Sequence, residues 1–235
     1  MGWISHDNLP LPCASLGVIG QVAGSIRCYE KAVHLFLQGQ PGIGKSSLIR
    51  KALEPIDSSI AGFTTQRLKE NGTTTGYRVL RITNDFPLLE EEYAPNKSGV
   101  FLLNGQLNIS VLESAISQVE EDSKNPSCNI IMLDEIGGVE LISEVFMKTL
   151  FRIISGGKPC IGVLKSAQNL SHTVSKQNLS SEYLILHKHL EQEIQSKGEL
   201  ITVTSENKFT VQEYLARYLH NSMQHCSISS ILPKS

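Results

Sequence analysis

A glycine-rich segment that ends in lysine and serine is the first part of the sequence with an evident chemistry. Residues 39–46 follow the spacing G-x-x-x-x-G-K-[ST] in full, between a short apolar run and a helical pattern. Glycines let backbone N–H groups turn inward around an anion, and the following helix directs its positive end to the same point. Lys45 would bring a full positive charge to the β- and γ-phosphates of a nucleotide, and Ser46 would offer its hydroxyl oxygen to Mg²⁺. The pattern predicts a phosphate-binding loop (P-loop) with these nucleotide-binding residues: Gly39, Gln40, Pro41, Gly42, Ile43, Gly44, Lys45, Ser46 and Ser47.

An acidic pair after a second apolar run supplies the complementary chemistry. Asp134 and Glu135 directly follow residues 130–133, and ligands of open α/β sheets lie at the carboxyl ends of the strands. Asp134 can therefore hold Mg²⁺ opposite Ser46, while Glu135 can orient and deprotonate a water beside the γ-phosphate. The predicted catalytic residues are Lys45 and Glu135. The predicted metal ligands are Ser46 and Asp134, and both acidic residues are expected to lie at the nucleotide.

These two segments require strands that end side by side, and the hydrophobic pattern predicts such strands. The apolar runs typical of buried strands lie at residues 32–37, 130–133, 160–164 and 200–203. Residues 59–83 indicate two further strands joined by Asn71-Gly72, a strong turn signal. Strands alternating with helices predict an α/β fold of the P-loop NTPase type: a mostly parallel, three-layer αβα sheet with a β-hairpin insertion. A glutamate directly after the aspartate favours the RecA-like branch, in which the catalytic base stands beside the Walker B aspartate.

The rest of the chain divides into expected helices, loops and ends. Apolar residues at helical spacing predict helices after the P-loop and at residues 110–122, 142–154 and 211–219, with Ile142 and Val145 on the buried face of the third. Polar composition predicts loops at residues 84–108, where Glu90, Glu91 and Glu92 would form a solvated face, and at residues 165–182. The predicted organisation is an N-terminal extension at 1–30, a P-loop NTPase domain at 31–220 and a weakly structured tail at 221–235.

Composition and charge limit the class of partner. The 235 residues carry a formal net charge of -2, so nothing attracts the chain generally to nucleic acid or to an anionic membrane. Residues 9–26 lack charge, but they contain prolines and glycines and follow no basic segment, so neither a signal peptide nor an anchor is expected. The five cysteines form no CxxC pair, which argues against a zinc site or a disulfide framework. We expect a cytoplasmic protein whose partner is a nucleoside triphosphate, without nucleic acid or membrane.

Three segments of the sequence resemble the small P-loop nucleoside-triphosphatases of the THEP type, which include the cancer-related nucleoside-triphosphatases. They are the P-loop through Leu48, the segment Gly62-Phe63-Thr64-Thr65 with Gly72 and Gly76-Tyr77, and residues 134–141. The last reads D-E-I-G-G-V-E-L, close to the family's D-E-I-G-K-M-E-L. This string identifies the family far more specifically than the P-loop, which many unrelated NTPases share. The resemblance, which covers roughly residues 32–220, implies hydrolysis of NTPs to NDP and phosphate with Mg²⁺ and a loose preference for the base.

Two departures from the family pattern keep other functions open. Gly138 stands where the family usually has lysine, and glycine cannot stabilise charge on a transferred phosphoryl group. Lys208, in a weaker fourth segment, replaces a usual arginine. These two changes are compatible with a nucleotide-binding switch of negligible turnover. The predicted loops at residues 84–108 and 165–182 leave room for a second substrate, the phosphate acceptor of a nucleoside or nucleotide kinase. Glu135 favours hydrolysis, because a water-activating base is unwanted in a kinase.

Several polar side chains near these motifs have alternative roles. An arginine of the hairpin can act as an arginine finger or remain solvated. Glu140 can brace the site or cap the following helix. Asn207 and Lys208 can contact the base or form a turn before the last helix. The hairpin arginines to which the arginine-finger alternative applies are Arg67, Arg78 and Arg81.

Overall fold

A single mixed sheet forms the centre of the computed structural model, which describes residues 34–56, 59–82, 86–177 and 180–229. Within these residues the sheet has nine strands. In chain order they are β1 His34–Gly39, β2 Ser59–Glu70, β3 Thr73–Arg81, β4 Glu90–Glu92, β5 Val100–Leu103, β6 Gln106–Leu107, β7 Cys128–Ile136, β8 Cys160–Leu164 and β9 Gly198–Val203.

The strand order is β6-β5-β3-β2-β7-β8-β1-β9, with β4 paired to β2 off this path. Strands β2, β7, β8, β1 and β9 are parallel, whereas β2, β3, β5 and β6 form an antiparallel extension. Asn71 and Gly72 join β2 to β3, both at positive φ (52° and 77°), as the tight turns of hairpins require. The predicted mostly parallel sheet with a β-hairpin is therefore confirmed.

Helices cover the sheet on both sides. They are α1 Lys45–Leu53, α2 Ile109–Ser123, α3 Glu144–Ile154, α4 Ala167–Gln177, α5 Glu182–Lys197 and α6 Lys208–Ser229, with a 3₁₀ helix at Val139–Ile142. Phe36 of β1 packs into a core with α2, α3 and α5, while its neighbours Leu35 and Leu37 pack with α1 and α6. Because successive side chains of a strand point to opposite faces, these central strands are buried on both sides, as their continuous apolar runs indicate.

The prediction of a loop with a solvated acidic face at residues 84–108 is wrong. Residues 90–92 form β4, which lies parallel to β2, and β5 and β6 follow. Glu90 pairs with Arg67 and Lys69 of β2, and Glu91 pairs with Arg78 and Lys97. Basic side chains of β2 and β3 thus help an acidic segment to join the sheet, and composition alone does not reveal such partners.

The predicted loop at residues 165–182 is also wrong, because it contains α4. Its Leu170 is fully buried and Val174, one turn later, packs against the same core, so tertiary contacts outweigh the low helix propensity of its polar residues. On the following helical segment, the predicted inward positions Ile142 and Val145 are exposed, because the chain forms a 3₁₀ helix before α3 begins. The last helix continues to Ser229, beyond the predicted start of a tail.

The predicted N-terminal extension and the uncharged run at residues 9–26 lie outside the described residues. In the part of the chain that is described, none of the helices combines the length and the apolar character that a bilayer crossing would need.

Candidate functional site

The P-loop connects the end of β1 to the start of α1. Gly39 has φ 138°, and a Cβ atom there would lie 2.6 Å from the backbone oxygen of Val203, so only glycine fits. Gly44 precedes α1 at φ 96°, and no side chain of the described residues caps the helix. The amides of the first turn are therefore left without helical partners, and together with the helix dipole they favour an anion in front of the loop.

Lys45 curls back over the P-loop. Its ammonium donates hydrogen bonds to the backbone oxygens of Gly39 (3.0 Å) and Gln40 (2.8 Å). Burial lowers the pKa of Lys45, while the nearby carboxylates of Glu135 and Asp134 oppose that change. The positive charge is thus held in the concave face of the loop, opposite two acidic groups.

Ser46 and Asp134 meet although they are far apart in sequence. The Ser46 hydroxyl donates to Oδ1 of Asp134 at 2.8 Å, and Asp134 is completely buried. Burial raises the pKa of Asp134, whereas the hydroxyls of Thr64 and Ser46 and the charges of Arg50 and Lys45 favour its ionised form. A hydroxyl and a carboxylate are the hard oxygen donors that Mg²⁺ prefers, so the residues fit that ion.

A magnesium ion at this point would depend on the nucleotide for most of its ligands. Among the described residues, no group of three or more His, Cys, Asp or Glu side chains is arranged to hold a metal ion. Magnesium sites of this kind commonly combine one or two protein oxygens with phosphate oxygens and water. Ser46 and Asp134 supply the protein part of such a set.

Two residues to which the sequence analysis assigns no role, Thr64 and Arg50, hold Asp134 in place. The hydroxyl of Thr64 donates to Oδ2 of Asp134 (2.7 Å) and accepts a hydrogen bond from Nη2 of Arg50 (2.7 Å). Parallel pairing sets this contact, because Phe63 of β2 lies beside Leu133 of β7 and Thr64 is the next residue. Arg50 stands one helical turn after Ser46 on α1, so it faces the same side. That i,i+4 spacing is the sequence signal that points to Arg50.

Thr64→Val should lower the stability of the protein by about 1–3 kcal/mol, because it leaves Oδ2 of the buried Asp134 and Nη2 of Arg50 without a hydrogen-bond partner. Valine has a similar shape, so packing changes little. Urea unfolding measures the difference in the free energy of unfolding. Thr65→Val is the matched control, since the Thr65 hydroxyl makes only a long contact (3.5 Å) with the Asp134 backbone oxygen. Equal losses in the two variants would contradict the assigned role of Thr64.

Glu135 differs from Asp134 in backbone and surroundings. Its φ is 61°, a left-handed conformation that is rare for residues other than glycine and is often found at functional sites. The residue keeps solvent access through the cleft even though many protein atoms surround it. Burial, followed by the neighbouring Asp134, raises the pKa of Glu135, and Lys165, Arg67 and Lys45 oppose the rise in that order. The backbone turn points the two acidic side chains to different partners.

A cleft of about 310 Å³ brings most of the predicted site residues together. Arg67 lies at its edge in an ion pair with Glu90 (2.7 Å), so an arginine of the hairpin does reach the site. Arg78 instead binds Gln66 and Glu91, and Arg81 binds Asp122, outside this cleft. The lining residues are Pro41, Gly42, Gly44, Lys45, Ser46, Ser47, Thr65, Arg67, Leu89, Glu90 and Glu135.

Three residues of the predicted P-loop do not line this cleft. Gly39, Gln40 and Ile43 form the base of the loop, with the first two accepting hydrogen bonds from Lys45. Asp134 lies beneath the cleft and is reached through Ser46. The structure therefore assembles the loop and the acidic pair at one place, with Asp134 as an inner residue and Glu135 as a wall residue.

Glu140 braces the segment after the acidic pair. Its Oε1 accepts hydrogen bonds from the backbone N–H groups of Gly137 (2.5 Å) and Gly138 (2.8 Å). Gly137 has φ 90° and lies against Leu164 and His187, where a Cβ atom would be too close. Of the two roles that the sequence leaves open, Glu140 thus has the bracing one.

Asn207 and Lys208 have separate roles. Asn207 closes a turn, because its amide donates to the backbone oxygen of Thr202 (2.8 Å) and its oxygen accepts from the N–H of Thr204 (2.8 Å). Lys208 begins α6, and its Nζ lies 3.1 Å from the point that a Cβ atom on Gly44 would occupy. A second ammonium therefore stands beside the P-loop.

Comparison with known proteins gives a consistent set of relatives. A family model described as NTPase matches residues 34–216. The chain is 33% identical over 136 residues to the cancer-related nucleoside-triphosphatase homolog of Mus musculus, covering 52% of this chain and 69% of that protein. It is 26% identical over 184 residues to the nucleoside-triphosphatase THEP1 of Methanocaldococcus jannaschii, covering 75% of this chain and 91% of that protein.

One solved structure shows a similar fold. The solution structure of a human cancer-related nucleoside triphosphatase covers 81% of this chain and 99% of its own, with a TM-score of 0.55 and 22% sequence identity. At this identity the likeness concerns the arrangement of strands and helices.

Proposed function

The chain belongs to the NTPase family and is a nucleoside-triphosphatase, and from this premise we propose that it hydrolyses ATP, GTP and other NTPs to NDP and phosphate with Mg²⁺. The observation that carries the proposal is the hydrogen bond of 2.8 Å between Ser46 and Asp134 beneath a cleft lined by Lys45 and Glu135. It supports one site in which the phosphate-binding and acidic groups act on the same triphosphate.

The P-loop would bind the β- and γ-phosphates. The free amides at the start of α1 and the Lys45 ammonium stabilise the negative charge there. When a nucleotide binds, Lys45 would exchange its bonds to two backbone oxygens for bonds to phosphate oxygens. Ser46 and Asp134 would hold Mg²⁺, which neutralises charge on the phosphates. Thr64 and Arg50 would keep Asp134 in position and favour its ionised form.

Glu135 would activate the attacking water. Its carboxylate would take a proton as the water oxygen bonds to the γ-phosphorus and the bond to the β–γ bridging oxygen breaks. A raised pKa makes Glu135 a stronger base than a solvated glutamate, and its solvent access lets water reach it. The place of this base, directly after the buried aspartate, supports the RecA-like branch of a three-layer P-loop fold. The separate cores on the two faces of the sheet support the layers.

A panel of substrates tests this function. We expect each NTP to release phosphate from the purified protein in the presence of Mg²⁺, and we expect the release to stop when EDTA removes the ion. Parallel reactions contain nucleosides and nucleotides as acceptors, and chromatography identifies the products. Phosphorylated acceptor without free phosphate would instead identify a kinase. Tight NTP binding with no product of either kind would identify a switch.

A further inference from the structure

The first strand of the hairpin extends past its parallel neighbour at the cleft. β2 pairs with β7 from Ser59 to Phe63, and residues 64–70 continue beyond that pairing, beside β3 and β4. Ligands of open α/β sheets lie outside the carboxyl ends of the parallel strands, so this part of β2 stands where a ligand is expected. Thr65 and Arg67 both line the cleft, because residues two apart on a strand point to the same side.

Arg67 shares the cleft with the groups that are expected at the terminal phosphate. Lys45, Ser46 and Glu135 line the same cavity of about 310 Å³. The backbone of Arg67 is fixed there, because its N–H donates a hydrogen bond to the backbone oxygen of Leu89 (2.9 Å). A guanidinium on an anchored strand therefore borders the volume that the nucleotide phosphates would enter.

An acidic side chain of the adjoining strand holds the Arg67 side chain. Arg67 and Glu90 face each other in the register of β2 and β4, and Nη1 of Arg67 lies 2.7 Å from Oε1 of Glu90. Within the described part of the chain, this is the ion pair that Arg67 forms, and it uses one nitrogen. A guanidinium carries several N–H donors in one plane, so further donors remain for an incoming anion.

A nucleotide can replace Glu90 as the partner of Arg67. Both side chains of the pair are 39% exposed, and ion pairs at such exposure contribute little to stability. A terminal phosphate offers more charge and two oxygens, which a planar guanidinium binds together. Glu90 keeps a partner after the exchange, because its Oε2 already pairs with Nζ of Lys69. The exchange therefore leaves no charge without a partner.

We propose that Arg67 is an arginine finger that this chain supplies to its own site. When an NTP binds, the guanidinium leaves Glu90 and binds oxygens of the γ-phosphate, while Glu90 stays with Lys69. The proposal rests on the function proposed above and adds a catalytic residue to it. Arg67 exchanges no proton and forms no covalent bond, since its charge stabilises the negative charge on the transferred phosphoryl group.

Arg67→Gln tests the proposal. We expect kcat for phosphate release to fall by about 10- to 100-fold, less than an enclosed arginine finger contributes, because the side chain is 39% exposed. Kd for NDP should not change, because NDP lacks the phosphate that Arg67 binds. NDP with aluminium fluoride, which takes the place of the transferred phosphoryl group, should bind more weakly by about the same factor as the fall in kcat. Titration calorimetry measures both affinities.

Glu90→Gln separates catalysis from support of β4. If the ion pair only held β4 against β2, loss of either partner would lower kcat and Tm alike. We instead expect Glu90→Gln to lower KM for NTP by about 2- to 5-fold without the fall in kcat, because Arg67 no longer has to leave an acidic partner. Equal losses of kcat and Tm in the two variants would overturn the inference. So would a parent-like kcat in Arg67→Gln.

Arg81→Gln is the matched control. Arg81 ends β3 and pairs with Asp122 (2.7 Å) outside the cleft, so its variant loses the same charge and should keep the parent rate. If Arg67→Gln fails to fold, Arg67→Lys makes the comparison, because lysine can keep the ion pair with Glu90 but lacks the planar donors. Its kcat should still fall, and a parent-like kcat would contradict the finger. A parent protein that releases no phosphate would instead contradict the proposed function itself.

Discussion

Lys45→Ala should reduce NTP hydrolysis by at least about 100-fold. Lys45 is the cation inside the P-loop, and alanine leaves the terminal phosphates without its charge. The fold should survive, because the ammonium bonds only to two backbone oxygens at the edge of the cleft, where water can replace it. Phosphate release at saturating NTP, with unfolding monitored by circular dichroism, measures both expectations.

Lys51→Ala provides the control for Lys45. Lys51 lies on the same helix but is exposed, so its removal changes the net charge equally without touching the cleft. Its variant should hydrolyse NTP at the parent rate. Activity that persists in Lys45→Ala would contradict the assignment of the P-loop as the site of hydrolysis.

Glu135→Gln should lower kcat by roughly 10²- to 10⁴-fold while NTP binding is retained. Glutamine has a side chain of the same size and has to adopt the same left-handed backbone conformation (φ 61°), but it cannot accept the proton of the attacking water. Loss of the negative charge also removes repulsion from Asp134 and from the triphosphate, so Kd for NTP should stay equal or fall. Single-turnover phosphate release and equilibrium binding of the same NTP separate the two quantities.

Glu92→Gln is the matched control, because it removes the same negative charge outside the site, at the exposed end of β4. It should leave both kcat and Kd as they are in the parent. A parent-like kcat in Glu135→Gln would show that another group activates the water. A large rise in Kd would mean that Glu135 acts in binding rather than in proton transfer.

Local patterns in the sequence were sufficient for the elements whose residues are consecutive. The P-loop spacing around Lys45, the turn at Asn71-Gly72 and the apolar run before Asp134 each occupy a few neighbouring positions. Their geometry follows from backbone freedom, from hydrogen bonding along the chain and from burial of continuous apolar segments. The acidic strand β4 and the polar helix α4 were missed because their stability comes from distant partners.

The sequence by itself determined which residues could bind phosphate, hold Mg²⁺ and activate water, because those capacities depend on residue type and close spacing. Only the tertiary structure decided what surrounds them. Thr64 reaches Asp134 across 70 positions through the register of two parallel strands. Arg67 comes to Glu90 because β4 lies beside β2. Strand order and register are set by the burial of the whole sheet, and no local segment contains that information.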